Sequence, residues 1–355
     1  MMGDPLVQTY IVGIVLTLIL LFSFRKKKSS EFLPLQTTLE LKGFAILAIL
    51  FGHIAYALLQ HQSFLFPLSV FAGMGVDLFL FLSGFGLTVS ALKKNLTIKE
   101  FYKRRLSKIF VSLWVVLILF LLMDFFVLKR TYPLSEIVLS FLGIFPRADI
   151  SLNINSPLWY ITFILFYYFT FPFFFNKKYP VLSAIGLSVV TWLVLKFALP
   201  VNPSVKNLYE LHTLAFPLGV AATALVPYYS RFEKYIQNKW FGRGAVILSV
   251  ILLFYFGIHS GVGKGLLLEQ AISLFLVFFT LIIFIFKQFE FRFLTFLGIY
   301  SHEIYLLHWP LLARYDFFFG NLPAGIATLL SVAFFLGLGF LLSGLLKILP
   351  LSSKK

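Results

Sequence analysis

The sequence predicts an all-α integral membrane protein, a polytopic bundle of about 11 transmembrane helices. Of its 355 residues, 60% are hydrophobic and only 12% charged, with mean hydropathy +0.93. That is more apolar surface than a water-soluble domain buries. Continuous apolar runs of about 20 residues recur along the chain, each long enough to cross a hydrocarbon core as a helix. The runs do not alternate between apolar and polar positions, which excludes a β-barrel.

The first run covers 6–24. Its basic flank, Arg25 to Lys28, follows the apolar stretch instead of preceding it, so the run reads as a spanning helix and not as a secretory leader. The next three cover 43–60, 70–92 and 109–128. Residues 134–146 are apolar but too short to span, and are expected to lie at the interface or re-enter. Seven more runs follow, at 157–175, 180–199, 211–229, 244–260, 266–286, 294–313 and 323–346. With Arg25 to Lys28 inside, alternate loops and the C-terminal tail hold 23 of the 30 Lys and Arg, and the opposite side holds 7. The positive-inside rule therefore places the N-terminus out and the C-terminus in. Residues 1–37 form an extra N-terminal helix with a basic cytoplasmic linker, 38–346 the main membrane domain, and 347–355 a short basic tail.

The net charge of +16 follows from this topology, so the expected partner is the lipid bilayer and not nucleic acid. The absence of cysteine excludes disulfides, thiolate nucleophiles and Cys-based metal sites. No zinc spacing, Walker loop or G-x-S-x-G elbow is present, and no metal is expected.

Four features carry candidate chemistry. His53 lies about two-thirds along an apolar stretch, where an ionisable ring is usually retained for function. Lys42 precedes it by eleven residues, which is three turns plus roughly 20°, so the two share one helix face about 16 Å apart. That suits a substrate with an anionic head and a long arm. The loop from Lys93 to Lys108 is strongly basic. Lys93 and Lys94 fit a topological anchor that meets anionic lipid, whereas Arg104, Arg105 and Lys108 form a tighter cluster able to grip phosphates. Asp77 is expected either to pair with a basic side chain or to orient His53 by accepting its ring N–H. Ser301, Tyr305 and His308 make one polar stripe on an apolar helix, expected to line a substrate or acceptor path, and Pro310 loosens that helix by leaving the Leu306 carbonyl without a donor. His212 beside Glu210 and His259 read as ordinary polar residues near the membrane edge, and His61 as a loop residue.

Taken together, these segments resemble the membrane acyltransferase 3 family, bacterial enzymes that O-acylate cell-surface and exported glycans. The matching pieces are Lys42 to His53, Asp77 to Phe85, Phe101 to Lys108, Pro157 to Tyr160 and Ser301 to Pro310, in family order. The resemblance implies cytoplasmic acetyl-CoA or a related acyl-CoA as donor, a glycan or polysaccharide acceptor, a location in the bacterial cytoplasmic membrane, and His53 as the essential histidine. Lys42 and Lys108 stand where the family often has Arg, keeping charge but losing the bidentate fork. Ile164 stands where many members have Glu. With no appended extracytoplasmic esterase-like domain, either the membrane core performs the whole transfer or a separate extracytoplasmic transferase completes it.

The expected function is thus O-acyl transfer. Lys42, Arg105 and Lys108 hold the donor phosphates with Arg104 as a looser helper, and His53 acts as general base or covalent acyl acceptor. Asp77 fixes the imidazole, and Tyr305 and His308 line the acceptor route. The alternative is an exporter or flippase for a polysaccharide or lipid-linked glycan, which needs no acyl-CoA.

Overall fold

The computed structural model describes residues 3–27, 31–61, 63–93, 97–148, 153–197, 201–229, 239–261 and 263–348; Lys28, Lys94 and residues 349–355 of the tail lie outside them. The chain opens with α1 (Pro5–Phe22), started by Asp4, whose carboxylate accepts from the Leu6 N–H. The short strand β1 (Phe24–Lys26) follows, then α2 (Leu35–Gly52), which continues as a π-turn from His53 to Leu58. Next come α3 (Ala72–Lys93) and α4 (Ile98–Leu128). A reciprocal capping box between Thr97 and Glu100 starts α4. The eight-residue α5 (Leu134–Phe141) precedes α6 (Trp159–Phe174) and α7 (Pro180–Phe197). One interrupted crossing contains α8 (Pro203–His212) and α9 (Ala215–Ala222). The last elements are α10 (Lys239–Ile258), α11 (Leu266–Phe286), strand β2 (Phe289–Phe291), α12 (Arg292–Ile299), α13 (Ser301–Ala313) and α14 (Ala324–Ile348).

Ten helical segments among the described residues are long and apolar enough to cross a membrane. The chain is an all-α polytopic membrane protein. The expected crossing at 294–313 is different in kind: it is α12 and α13, broken at Tyr300. It still traverses alongside α4, because His302 meets Ser112 and Arg314 meets Asp124 twelve residues further along both helices. Four helices begin well before their apolar runs: α2 at Leu35, α4 at Ile98, α8 at Pro203 and α10 at Lys239. Apolar composition marks only the lipid-embedded portion, whereas capping groups such as Thr97 and Asn202 decide where helical hydrogen bonding starts. Lys42, Arg105 and Lys108 therefore stand on helices, not in loops.

The basic linker after α1 is part of the fold. β1 pairs antiparallel with β2, Phe24 opposite Phe291, Arg25 opposite Glu290 and Lys26 opposite Phe289. Arg25 Nε donates to Glu290 at 2.8 Å, and the buried Lys287 Nζ lies 2.6 Å from Glu40 on α2. Glu40 also accepts the Phe291 N–H, and Lys27 Nζ donates to the carbonyls of Phe284 and Ile285 at the end of α11. Burial, with Lys287 nearby, pushes the Lys27 ammonium down to about 8. Residues 1–37 are consequently stapled to the remainder of the bundle.

The strand pair also constrains topology. β1 and β2 must lie on one side of the membrane, so an even number of crossings separates them. Eight crossings satisfy this only if α5 does not span, which agrees with its length of eight residues.

Glu40→Ala would leave the Lys287 charge buried and unpaired, at a cost of about 3–5 kcal/mol; the expected readout is a clearly lowered unfolding temperature in detergent, with Arg25→Ala milder because Arg25 keeps 26% of its side-chain surface exposed. Topology can be read in a chain without cysteine. An impermeant thiol reagent on intact cells should label Asn321→Cys and spare Thr97→Cys; the reverse pattern would invert the charge-derived orientation.

Candidate functional site

The site depends on a close crossing of α2 and α12. A Cβ on Gly43 would run into the Leu294 carbonyl, and one on Gly298 into the Leu39 carbonyl, so the backbones touch where only glycine fits. This contact carries α13 past the end of α2 and brings two histidines together. His53 Nδ1 lies 2.8 Å from His308 Nε2, with the rings nearly parallel at 5.0 Å, and Trp309 stands edge-on to His53 at 5.2 Å.

The proton positions follow from the partners. His308 Nδ1 lies 2.8 Å from the Tyr305 carbonyl, which can only accept. His308 therefore carries its proton on Nδ1 and, when neutral, a lone pair on Nε2. That lone pair must receive the N–H of His53 Nδ1, which leaves Nε2 of His53 with a lone pair of its own. No protein group among the described residues bonds this nitrogen, and His53 keeps accessible surface while His308 has none. The carbonyl dipole and the second imidazole both favour positive charge developing on His53, as a carboxylate does in a catalytic triad.

Asn155 supports this helix. Because Pro310 has no N–H, the Leu306 carbonyl lacks its helical donor, and Asn155 Nδ2 supplies one at 2.8 Å from the segment before α6. The Tyr305 hydroxyl donates to the Pro157 carbonyl of the same segment, and Ser301 donates to Gly298. All three residues of the stripe are buried, Ser301 at 4%, Tyr305 at 6% and His308 at 0% exposure. Along this expected substrate or acceptor path, Ser301 and Tyr305 satisfy backbone carbonyls and His308 meets His53.

Of the two readings for Asp77, the structure shows pairing with a basic side chain, His212, and not orientation of His53. Asp77 Oδ1 lies 2.7 Å from His212 Nδ1, and its Oδ2 accepts from the Ser273 hydroxyl. Trp159 stacks on the His212 ring at 5.6 Å. His212, expected at the membrane edge, is 2% exposed because α8 begins nine residues before it and carries it inward. The carboxylate thus joins α3, α8 and α11.

Arg105 and Lys108 both lie within electrostatic reach of Lys42, His302 is within reach of Lys42 and Lys108, and the Glu303 carboxylate is within reach of Lys108. Among the described residues none of these three cations has a carboxylate within 4.0 Å. Arg104 points elsewhere, exposed near Glu100. His302 Nε2 lies 2.8 Å from Ser112 Oγ, whose own proton goes to the Lys108 and Ile109 carbonyls, so His302 is the donor there. A polar track runs from this cluster toward His53: Tyr168 lies within electrostatic reach of Arg105, Tyr168 and Tyr160 both lie near Ser83, and Tyr160 packs edge-on to Tyr305 at 5.5 Å. The sequence reading missed Asn155, His302, Ser83, Tyr160 and Tyr168. Asn155 had a signal in the carbonyl freed by Pro310, and Ser83, Tyr160 and His302 lie inside segments that carry the family resemblance, but no single-helix pattern marked any of them individually. Among the described residues no cluster of three or more metal-ligating side chains occurs.

The comparisons with known proteins agree with a transfer site in a membrane bundle. The profile of the acyltransferase 3 family, an acyltransferase domain, matches residues 40–348. Fold and match together define a multi-pass membrane acyltransferase. The chain belongs to this family. It is also 28% identical over 207 residues to an uncharacterized protein of Haemophilus influenzae, covering 50% of this chain and 84% of that protein. No solved structure matches it.

The relay predicts distinct effects at His308. His308→Phe removes the acceptor for His53 Nδ1–H and should lower transfer roughly 10²–10⁴-fold, the usual worth of a positioned base. His308→Gln can still accept through its side-chain oxygen and should retain more activity. Equal loss in both, with unchanged unfolding temperature, would mean that orientation of His53 is not the role of His308.

Proposed function

We propose that this acyltransferase moves an acyl group, acetyl first among candidates, from acyl-CoA to a hydroxyl of a cell-surface or exported glycan in the bacterial cytoplasmic membrane. The observation that carries this reading is the pairing of a cation cluster that has no carboxylate at ion-pair distance among the described residues with a histidine whose Nε2 is left free, joined by a polar track. Lys42, Arg105 and Lys108 hold the donor phosphates on the basic, cytoplasmic side. The pantetheine arm follows the α2 face, about 16 Å of helix between Lys42 and His53, and presents the thioester to Nε2.

His53 Nε2 then takes the proton of the acceptor hydroxyl as its oxygen attacks the thioester carbonyl, or accepts the acyl group before the hydroxyl arrives; in both routes the C–S bond breaks and CoA leaves as the thiol, carrying the proton the hydroxyl gave up. In either route charge rises on the imidazole, and the His308–Tyr305 carbonyl relay stabilises it through Nδ1–H. The acceptor approaches from the side opposite the cation cluster, alone or presented by a separate extracytoplasmic transferase. Ile164 is buried in the core, so α6 supplies no acid at that position and the proton inventory rests on the histidines.

His53→Ala should abolish acylation of surface polymers in a deletion strain while the protein still inserts and binds CoA; near-normal acylation at equal expression would overturn the reading. Arg105→Ala and Lys108→Ala should each weaken the thermal stabilisation given by CoA, since a charge-assisted contact contributes roughly 1.5–3 kcal/mol. Lys93→Ala should do little. Equal effects at all three positions would point to general surface charge instead of a phosphate grip.

A further inference from the structure

We propose that the cavity between the β1-side ends of α3, α4 and α6 seats the adenosine 3′-phosphate end of the donor, a subsite distinct from the cation cluster that holds its pyrophosphate. The inference rests on the acyl-CoA reading above and adds where the nucleoside lies.

The cavity has a volume of about 270 Å³ and is walled by Phe101, Phe171 and Phe175, with Ser90, Arg105 and Lys177 contributing polar groups. The three aromatic rings form a stacked set, Phe101 on Phe171 at 6.0 Å and Phe171 on Phe175 at 4.7 Å. Its described lining contains no acidic residue. Flat apolar walls with cations at the rim match the chemistry of a purine bearing phosphate, since bases stack on aromatic faces whatever their hydrogen-bonding edge. Sites that hold a whole drug-sized ligand measure roughly 300–1,000 Å³, so a cavity this small takes one end of a longer molecule.

Position adds a second argument. Arg105 belongs both to this lining and to the cluster with Lys42 and Lys108. A ligand whose pyrophosphate sits at that cluster therefore extends in two directions, with its pantetheine toward His53 and its nucleoside into the Phe101–Phe175 cavity. Lys177, exposed in the turn between α6 and α7, can meet the 3′-phosphate there. A phospholipid headgroup offers similar anionic chemistry without a base, and the test separates the two.

Binding of CoA and of 4′-phosphopantetheine is measured on the full chain in phosphatidylcholine nanodiscs. The wild type should bind CoA at least about tenfold more tightly, the worth of one good charge-assisted contact or stack. Ser90→Phe, which fills the cavity away from the cation cluster, should narrow the preference for CoA by about tenfold while leaving 4′-phosphopantetheine unchanged. Lys177→Ala should reduce the preference for CoA over 3′-dephospho-CoA. Equal wild-type affinity for CoA and 4′-phosphopantetheine, or equal weakening of both by Ser90→Phe, overturns the subsite while leaving the donor reading intact. Loss of the CoA preference on adding phosphatidylglycerol would assign the cavity to lipid and overturn it too. Binding of neither compound removes the acyl-CoA reading, and the subsite with it.

Discussion

The backbone-to-backbone crossing of α2 and α12 at Gly43 and Gly298 is the contact on which the site depends. At one end its neighbours are the buried Glu40–Lys287 pair and the β1–β2 strands, and at its far end is the His53–His308 hydrogen bond. Without side chains between them, the helices run close enough for two imidazoles to share one proton at 2.8 Å. A Cβ at either glycine would push α13 outward and leave His53 Nδ1–H without its acceptor. Packing at one end thus sets chemistry at the other, because helices transmit position as stiff rods.

The membrane interior explains why so many polar groups near the site are spoken for. In hydrocarbon every N–H and C=O must find a partner within the protein. Pro310 breaks that economy by exposing the Leu306 carbonyl, and Asn155 restores it. The break at Tyr300 does likewise, with Ser301 folding back onto Gly298. Beside these restored carbonyls, His53 Nε2 has no hydrogen-bond partner and the three cations have no carboxylate within 4.0 Å among the described residues, and such groups are where a ligand fits.

The family match and the fold make the protein a membrane acyltransferase, and the polar track between Lys42 and His53 connects the two proposed halves of the reaction. The track is built by residues from three helices: Ser83 on α3, Tyr160 and Tyr168 on α6, and Tyr305 on α13. Asp77, by contrast, belongs to a separate lock with His212 and Ser273. A buried carboxylate close in sequence to a glycine-rich motif is therefore a poor guide to which imidazole it serves.

The sequence by itself determined what is local to one helix. Apolar length located the crossings, charge asymmetry marked α5 as non-spanning, and a spacing of eleven put Lys42 and His53 on one face. It also determined that Pro310 must free a carbonyl, since a missing N–H is a covalent fact. Tertiary structure alone decided which helix faces which: that His308 and not Asp77 meets His53, that Asn155 fills the gap left by Pro310, that Arg105 turns inward while Arg104 turns out, and that a basic linker becomes a strand. Helical periodicity repeats every few residues and fixes faces within one element, but two faces separated by 255 residues meet only through packing, for which no local pattern carries a signal.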